Sequence, residues 1–525
     1  MSYPLLNTKE FGTFTHESWL EQQAASLAGK EVNFWGCGAT YQKYRHVFAK
    51  AHPRYILVDF PDAPQSVNGI SVKHPAELQA SSPCERLPIV VFTRVEHFAT
   101  ILSKLVWVYD FIVEGEPIWC IDSDYLSSKR IEHPGLDRLL RKPSLPLIVY
   151  SRDYAGMPNY VRSMPVTQSL PKIPIQASIT QELGVAPEQR TFPPSYSELP
   201  DLYIHEFSNI LLINGYPFDD HGNLIFDALR VFGADRPVLY DAPVIISGIG
   251  ALCSQKTDSI PSLAGEYIYA TPSSYFGHQL LETLTQSWCF NTFPNARMIF
   301  ALRHEPEKYF MDFIKAYNLE KKNFISPADI CIVEKLYVPT RAYMHGHYIT
   351  ETAVEIWKGI RDFYASIVPS SPKKIYLSRR YFDKRKLVNE IEVEKIFSDY
   401  GFSIVQMEAL SAKEQICMIY NATHIAGPIG SAMHNLVFSN DTYVTDTLLL
   451  LPRGILEEAA YRNIECAYGR TFNAVYGESL MPVGVTPRFY NKFPWRIDIN
   501  NLESALSQWL NIEVAIKHKA HSQNS

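Results

Sequence analysis

Tyr376-Leu-Ser-Arg-Arg380, then Lys384-Arg-Lys386 and Asn389-Glu390, then Ala422-Thr-His-Ile-Ala-Gly-Pro-Ile-Gly-Ser-Ala-Met-His-Asn435 are the stretches that decide the fold. Lys374-Ile-Tyr-Leu377 is a short apolar strand pattern, and Ser-Arg-Arg sits where that strand turns toward a helix. Guanidinium groups and free backbone N–H groups then gather at the C-terminal edge of a sheet, where phosphates bind. Arginine suits a departing nucleoside diphosphate because its planar fork stays charged and bonds phosphate oxygens two at a time. Taken alone, the stretch reads equally well as a solvated basic helix start. The residues that follow break the tie. Tyr400-Gly-Phe-Ser-Ile-Val405 is a strand, Glu408-Ala-Leu-Ser411 and Glu414-Gln415 lead into a helix, and Gly427-Pro-Ile-Gly-Ser-Ala432 is a Gly-rich loop that opens another helix. Its amides and Ser431 can face an anion, so two consecutive strand-to-helix edges point at one cleft.

Upstream, Ser273-Ser-Tyr-Phe-Gly-His278 is followed by Glu282 on a predicted helix. Four residues put both side chains on one helical face, where a carboxylate orients an imidazole and raises its basicity. That is the layout of a supported general base, with Glu282 a rival for the role and a helix-capping histidine the plainer reading. Arg303-His304 and His345-Gly-His347 are placed along the cleft. No carboxylate or cysteine set stands near the latter pair at ligand spacing, so no metal is assigned there.

The N-terminal third has its own pattern. Glu31-Val-Asn-Phe-Trp runs into Gly36-Cys-Gly38 and a helical stretch, and Tyr55-Ile-Leu-Val-Asp59 follows with an acid at its end. This is the layout of a dinucleotide-type βαβ unit without its third glycine, since Tyr41 and Lys43 surround that place. A structural domain of that type and a nucleotide site both fit. Leu87-Pro-Ile-Val-Val-Phe92 and Pro117-Ile-Trp-Cys-Ile121 read as buried parallel strands. Asp122-Ser-Asp124 after the second reads as a helix-capping loop or as a metal-holding Asp-x-Asp. Between Arg141 and Pro200 prolines recur, which predicts a linker or wrapping segment without central strands. Pro369-Ser-Ser-Pro372 marks the expected junction between two lobes.

Composition narrows the function classes. At 525 residues the chain calls for several domains, and 46% apolar with 20% charged residues lets them bury cores. A net charge of -6 supplies no basic field for nucleic acid. Met1-Ser-Tyr-Pro-Leu-Leu-Asn lacks the basic start and apolar run of a secretory signal, so the whole chain is expected to be the mature one. The stretch Leu102–Ile121 is broken by Lys104, Asp110, Glu114 and Glu116, against a spanning helix. Eight scattered cysteines without a Cys-x-x-Cys pair point to a reducing compartment, the cytoplasm.

From Ile375 to Pro452, and upstream to about Asn209, the sequence resembles the bacterial branch of glycosyltransferase family 61. The shared elements occur in order: Ser-Arg, a downstream Arg and Asn-Glu, a Gly-Phe strand, a Glu-Gln helix and a Gly-rich loop ending in Asn. The resemblance implies an α/β fold of GT-B architecture, two Rossmann-like lobes facing across a cleft. It also implies inverting, metal-independent transfer from a nucleotide-sugar donor, a UDP-sugar, with no further cofactor. Ser378, Arg379, Arg385, Asn389, Glu390, Gly430, Ser431 and Asn435 would hold the donor, and His278 and Glu282 would serve catalysis. Two departures stand out. The family loop carries His-Gly-Ala where this chain has Ile429-Gly-Ser-Ala432, and the following strand ends in Asp446 rather than Glu.

The expected organisation is an N-terminal Rossmann-like domain over 1–140 and a proline-rich connector over 141–200. An acceptor lobe over 201–370, a donor lobe over 371–513 and a polar tail over 514–525 complete it. The implied product is a bacterial surface glycan, capsule or lipopolysaccharide, built in the cytoplasm or peripherally at the inner face of the membrane on a glycan or glycolipid acceptor. Two alternatives remain at this level: a non-catalytic glycan- or nucleotide-binding partner in polysaccharide assembly, and a nucleotide-sugar oxidoreductase or epimerase using the Gly36-x-Gly38 domain.

Overall fold

The computed structural model describes residues 3–4, 6–7, 16–80, 87–94, 97, 100–101, 118–122, 149–166, 177–193, 199–229, 231–232, 238–239, 260–271, 273, 276–300, 308–317, 319, 324–325, 327–365, 371–441, 445–455, 458–480 and 493–522. Asp124, Arg303 and His304 fall outside them. The fold is mixed α/β, with several sheets rich in parallel strands.

The first sheet follows the strand patterns of the N-terminal third. It contains β1 (Glu31–Trp35), β2 (His52–Leu57), β3 (Ile70–Lys73), β4 (Ile89–Arg94) and β5 (Ile118–Asp122). Their spatial order is β3-β2-β1-β4-β5, each parallel to the next, which is the order of a doubly wound sheet, and the two-residue strand Ser66–Val67 adds antiparallel at the β3 edge. Helix α1 (Ala39–Tyr44) follows β1 and seals its face with Tyr41, whose ring meets Phe34 and Phe92. Gly36 turns with φ 93, and a Cβ there would come within 2.8 Å of the Phe92 carbonyl oxygen, so packing against β4 already calls for glycine.

The proline-rich stretch departs from the linker expectation. It carries β6 (Tyr160–Pro165), β7 (Ser178–Glu182) and β8 (Glu188–Phe192), which join two different sheets. Pro165 ends β6, and Pro187 and Pro193 lie just outside β8, so these prolines mark strand limits without forbidding strands. Strand β6 pairs antiparallel with β9 (Tyr203–Ile213) in the middle sheet. There β9 also pairs antiparallel with β12 (Ile330–Pro339), and β10 (Ser262–Ala270) lies parallel between β12 and β11 (Arg297–Phe300). A short hairpin of β13 (Tyr343–Met344) and β14 (Tyr348–Ile349) leads into helix α2 (Glu351–Ala365).

The third sheet is built on β15 (Lys374–Leu377), β16 (Ser403–Val405), β17 (His424–Pro428), β18 (Asp446–Pro452) and β19 (Phe472–Ser479). The order is β8-β7-β19-β18-β17-β15-β16, parallel throughout except for the β7–β8 hairpin. Helix α3 (Glu390–Asp399) connects β15 to β16, α4 (Ala412–Asn421) precedes β17, and α5 (Glu458–Ala467) precedes β19. Ser411 starts α4 with a reciprocal cap: its backbone N–H donates to Glu414 Oε2 at 2.8 Å while its hydroxyl takes the Glu414 N–H. The short strand β20 (Trp495–Arg496) pairs with β19, and α6 (Ile499–Ser522) closes the chain. Among the described residues no helix is long and apolar enough to cross a membrane.

One apolar core runs from the middle sheet into the third: Ile204 and Ile268 on one side, Ile375 and Leu449 on the other, with Trp357 of α2 between them. The Trp357 indole is fully buried and donates to the Leu280 carbonyl at 3.1 Å. Emptying that site would cost about 3–5 kcal/mol. The two halves on either side of Pro369–Pro372 are therefore welded by hydrophobic packing.

Candidate functional site

In the third sheet β15 lies between β16 and β17, so the connection after β15 runs to one side and the next, from β16, crosses back to the other. Such a reversal opens a crevice at the C-terminal strand ends, the usual ligand position in open α/β sheets. Ser378-Arg379 leave β15 at this point and Ile429-Gly430 leave β17. The Arg379 guanidinium lies directly over Gly430, where an added methyl would overlap Nη1. Glycine leaves room here for the guanidinium to sit, and its backbone is extended at φ 165 and ψ 174.

The loop that presents the arginines is tied down from below. Ser378, buried, donates through Oγ to Glu394 Oε1 at 2.6 Å and accepts from the Arg380 N–H at 3.2 Å. Glu390 Oε1 accepts from the Arg379 N–H at 2.6 Å and from the Tyr376 hydroxyl at 3.3 Å. Burial pushes the Glu390 carboxyl up to about 7. Asn389 is bonded both ways to Ile497, donating to its carbonyl at 2.9 Å and accepting from its N–H at 3.3 Å. These three residues shape the loop through their own bonds, and Arg379 and Arg385 are the members whose charge is left at the crevice. Arg385 has φ 54, and its carbonyl accepts from the Trp495 indole at 2.9 Å, which fixes this unusual turn. Burial, then the neighbouring Arg385, holds Arg379 below its ordinary range.

The Gly-rich loop continues into a helical turn, Ser431–Phe438, with Ser431 partly exposed at its start. Asn435 is fully buried and donates to Gln415 Oε1 at 3.3 Å and to the Ala432 carbonyl at 3.1 Å. The Glu-Gln signal of the sequence thus divides: Glu414 caps α4, and Gln415 steadies the loop. His434 was not singled out by its sequence position, yet the fold carries it into the site. It is 6% exposed, stacks on Tyr461 of α5 at 4.9 Å, and neither ring nitrogen has a hydrogen-bond partner among the described residues. Burial, then the charges of His345, His278, Arg385 and Arg379, hold it well below the ordinary histidine range, so it stays neutral.

The opposing wall comes from the helical stretch Phe276–His278, Gln279–Thr283 and Leu284–Asn291. Its second segment is a π-type turn, a departure from the regular helix expected and one common at functional sites. The expected contact forms nonetheless: His278 Nδ1 and Glu282 Oε2 are 2.8 Å apart, with the carboxylate side chain only 7% exposed. If Nδ1–H donates to the carboxylate, the lone pair lies on Nε2. A methyl on Gly277 would overlap His434, so this glycine lets the two walls meet. His345, at the turn between β13 and β14, stands between them with ring centroids 5.3 Å from His278 and 6.2 Å from His434. Its Nδ1 is 3.2 Å from the Tyr343 hydroxyl. His347, its partner in sequence, instead lines a separate cavity. Among the described residues no group of three or more His, Cys, Asp or Glu is set to hold a metal.

The site therefore joins a carboxylate-backed histidine on one wall to paired arginines, a glycine loop and His434 on the other, with His345 between. Among the described cysteines, Cys37, Cys289, Cys331 and Cys417 carry free thiols. No curated protein matches the chain. The family model of Glycosyltransferase 61 matches residues 276–445, a shorter segment at both ends than the resemblance read from about Asn209 to Pro452. It begins on the turn that carries His278 and extends past Asn435, so the match spans both walls of the crevice, and the chain is a glycosyltransferase similar over this segment to family 61.

Proposed function

We propose that the chain is an inverting, metal-independent glycosyltransferase of GT-B architecture, moving a sugar from a UDP-sugar to a growing bacterial surface glycan. The observation that carries this reading is the approach of His278, backed by Glu282 at 2.8 Å, to the wall bearing Arg379, Gly430 and His434. In the transfer, the acceptor hydroxyl gives its proton to His278 Nε2 as its oxygen forms a bond to the anomeric carbon. The bond from that carbon to the diphosphate breaks on the opposite face, and the electron pair leaves with the diphosphate. Arg379 and Arg385, with the amides beyond Gly430, take up that charge, and Glu282 stabilises the imidazolium. The free thiols support work in a reducing compartment, at the inner face of the membrane where acceptor glycolipids are extended.

The test is a panel of nucleotide sugars and nicotinamide cofactors screened against the purified chain by magnetic resonance, following binding and slow donor hydrolysis, with Arg385→Ala beside it. One nucleotide sugar standing out, and losing its binding with Arg385, is the expected result. Binding of a nicotinamide cofactor alone, or of a finished glycan without any nucleotide sugar, would overturn the reading.

A further inference from the structure

Away from the crevice, the middle sheet walls a cavity of about 610 Å³, bounded by the Arg152–Tyr154 segment, Phe226, Arg341 and Tyr348. Two guanidinium groups converge on one ring: Arg152 lies 3.8 Å from the Phe226 centroid and Arg341 5.1 Å. Arg341 is 5% exposed and gives Nη1 to the Leu229 carbonyl at 2.5 Å, but its buried Nε has no hydrogen-bond partner. Arg152 is exposed at the mouth, and no ion pair within 4.0 Å joins either arginine to a carboxylate among the described residues. The aromatic ring holds two like charges in place while leaving the Arg152 fork, and the part of the Arg341 guanidinium not bonded to Leu229, to something else.

The buried carboxylate of the wall is held mainly by other groups. Asp227 Oδ2 accepts from the Tyr154 hydroxyl at 2.5 Å and lies 3.4 Å from His205 Nε2, whose other nitrogen meets Ser163 Oγ at 2.8 Å. Burial pushes Asp227 up, but the bond and charge of His205, with Arg341, outweigh it and keep the carboxylate ionised. Asp153 stands exposed at the rim. Guanidinium donors not paired to a carboxylate, set on an aromatic wall, fit an oxyanion carried on an apolar-faced ring.

The cavity's place in the fold says which ring. The hairpin β13–β14 separates it from the crevice, with His345 at the turn facing His278 and His434 while His347 and Tyr348 line the cavity. We propose that this cavity is the acceptor subsite and that the acceptor is acidic, a sugar bearing a carboxylate or phosphate that Arg152 and Arg341 bind. The proposal rests on the glycosyltransferase reading. It assigns the anion to the acceptor, distinct from the donor diphosphate held by Arg379 and Arg385.

The test titrates the full chain by ligand-observed magnetic resonance with methyl glucuronide, glucose 6-phosphate, the uncharged methyl glucoside and inorganic phosphate. UDP is titrated in parallel. At least one acidic sugar should bind about tenfold or more tightly than the neutral one, and Arg152→Gln, at an exposed position, should weaken it by about tenfold while UDP affinity holds. Arg341→Lys, which keeps the charge and loses the fork, should weaken it too. Preference for the carboxylate or for the phosphate names the acceptor's acid. Equal binding of acidic and neutral sugars, inorganic phosphate binding as tightly as either acidic sugar, or acidic-sugar binding untouched by Arg152→Gln would overturn the inference. UDP binding with no acidic preference would refute this subsite alone. Acidic-sugar binding without UDP binding would leave the anion site standing and refute the donor reading instead.

Discussion

Gly430→Ala places a methyl where Arg379 Nη1 now lies, and the same Cβ would crowd Cζ and Nε behind it. The backbone of residue 430 is extended, a conformation alanine adopts freely, so the main chain has no reason to move. The obstacle is the far end of a flexible side chain, and the overlap is relieved by swinging the guanidinium out of the crevice. Folding should therefore be nearly unaffected, with a melting temperature within a few degrees of the parent. Donor binding should not be. A charge-assisted arginine–phosphate contact contributes about 1.5–3 kcal/mol, so its loss predicts roughly 10- to 150-fold weaker binding of UDP. Calorimetric titration of UDP into the parent and the variant, with thermal melts on the same samples, measures both quantities. Parental UDP affinity in a folded variant would refute the claim that Arg379, seated over Gly430, holds the diphosphate. A variant that fails to fold would refute the claim that only a side-chain tip stands in the way.

His278→Ala should lower the transfer rate by about 10²–10⁴ while UDP affinity stays within about twofold, and Glu282→Gln, which keeps the shape and removes the charge, should fall between variant and parent. Transfer at the normal rate by His278→Ala would assign the proton to another group. For Glu390, burial raises the carboxyl from 4.5 to about 7, so the folded chain binds this proton more tightly than the unfolded one. Its contribution to stability is full below about pH 4.5 and is lost as the pH rises through about 7, an amount of roughly 3 kcal/mol. Urea unfolding at about pH 5 and pH 7.5 should show that slope in the parent and a flatter one in Glu390→Gln. Equal slopes would place the titration elsewhere.

The sequence by itself determined the local pieces, because each depends on neighbours along the chain. Continuous apolar runs such as Ile89–Phe92 give buried parallel strands, Ser411 and Glu414 give a helix start, and His278 with Glu282 gives a contact at four-residue spacing. The glycosyltransferase family was legible for the same reason, since its motifs follow one another in order. Tertiary structure alone decided what those pieces face. Prolines between Arg141 and Pro200 suggested a linker, yet hydrogen bonds to distant strands draw β6 into one sheet and β7 into another. Asn389 sits in the motif by sequence, but that Ile497 meets both ends of its amide is visible only in the fold. His434 carried no spacing signal, because its neighbours His278 and His345 lie far away in sequence and arrive only when the shared core closes around Trp357. A spacing rule reports who is near along one element; which charges stand together in a crevice is set by how sheets stack, and that is fixed by packing.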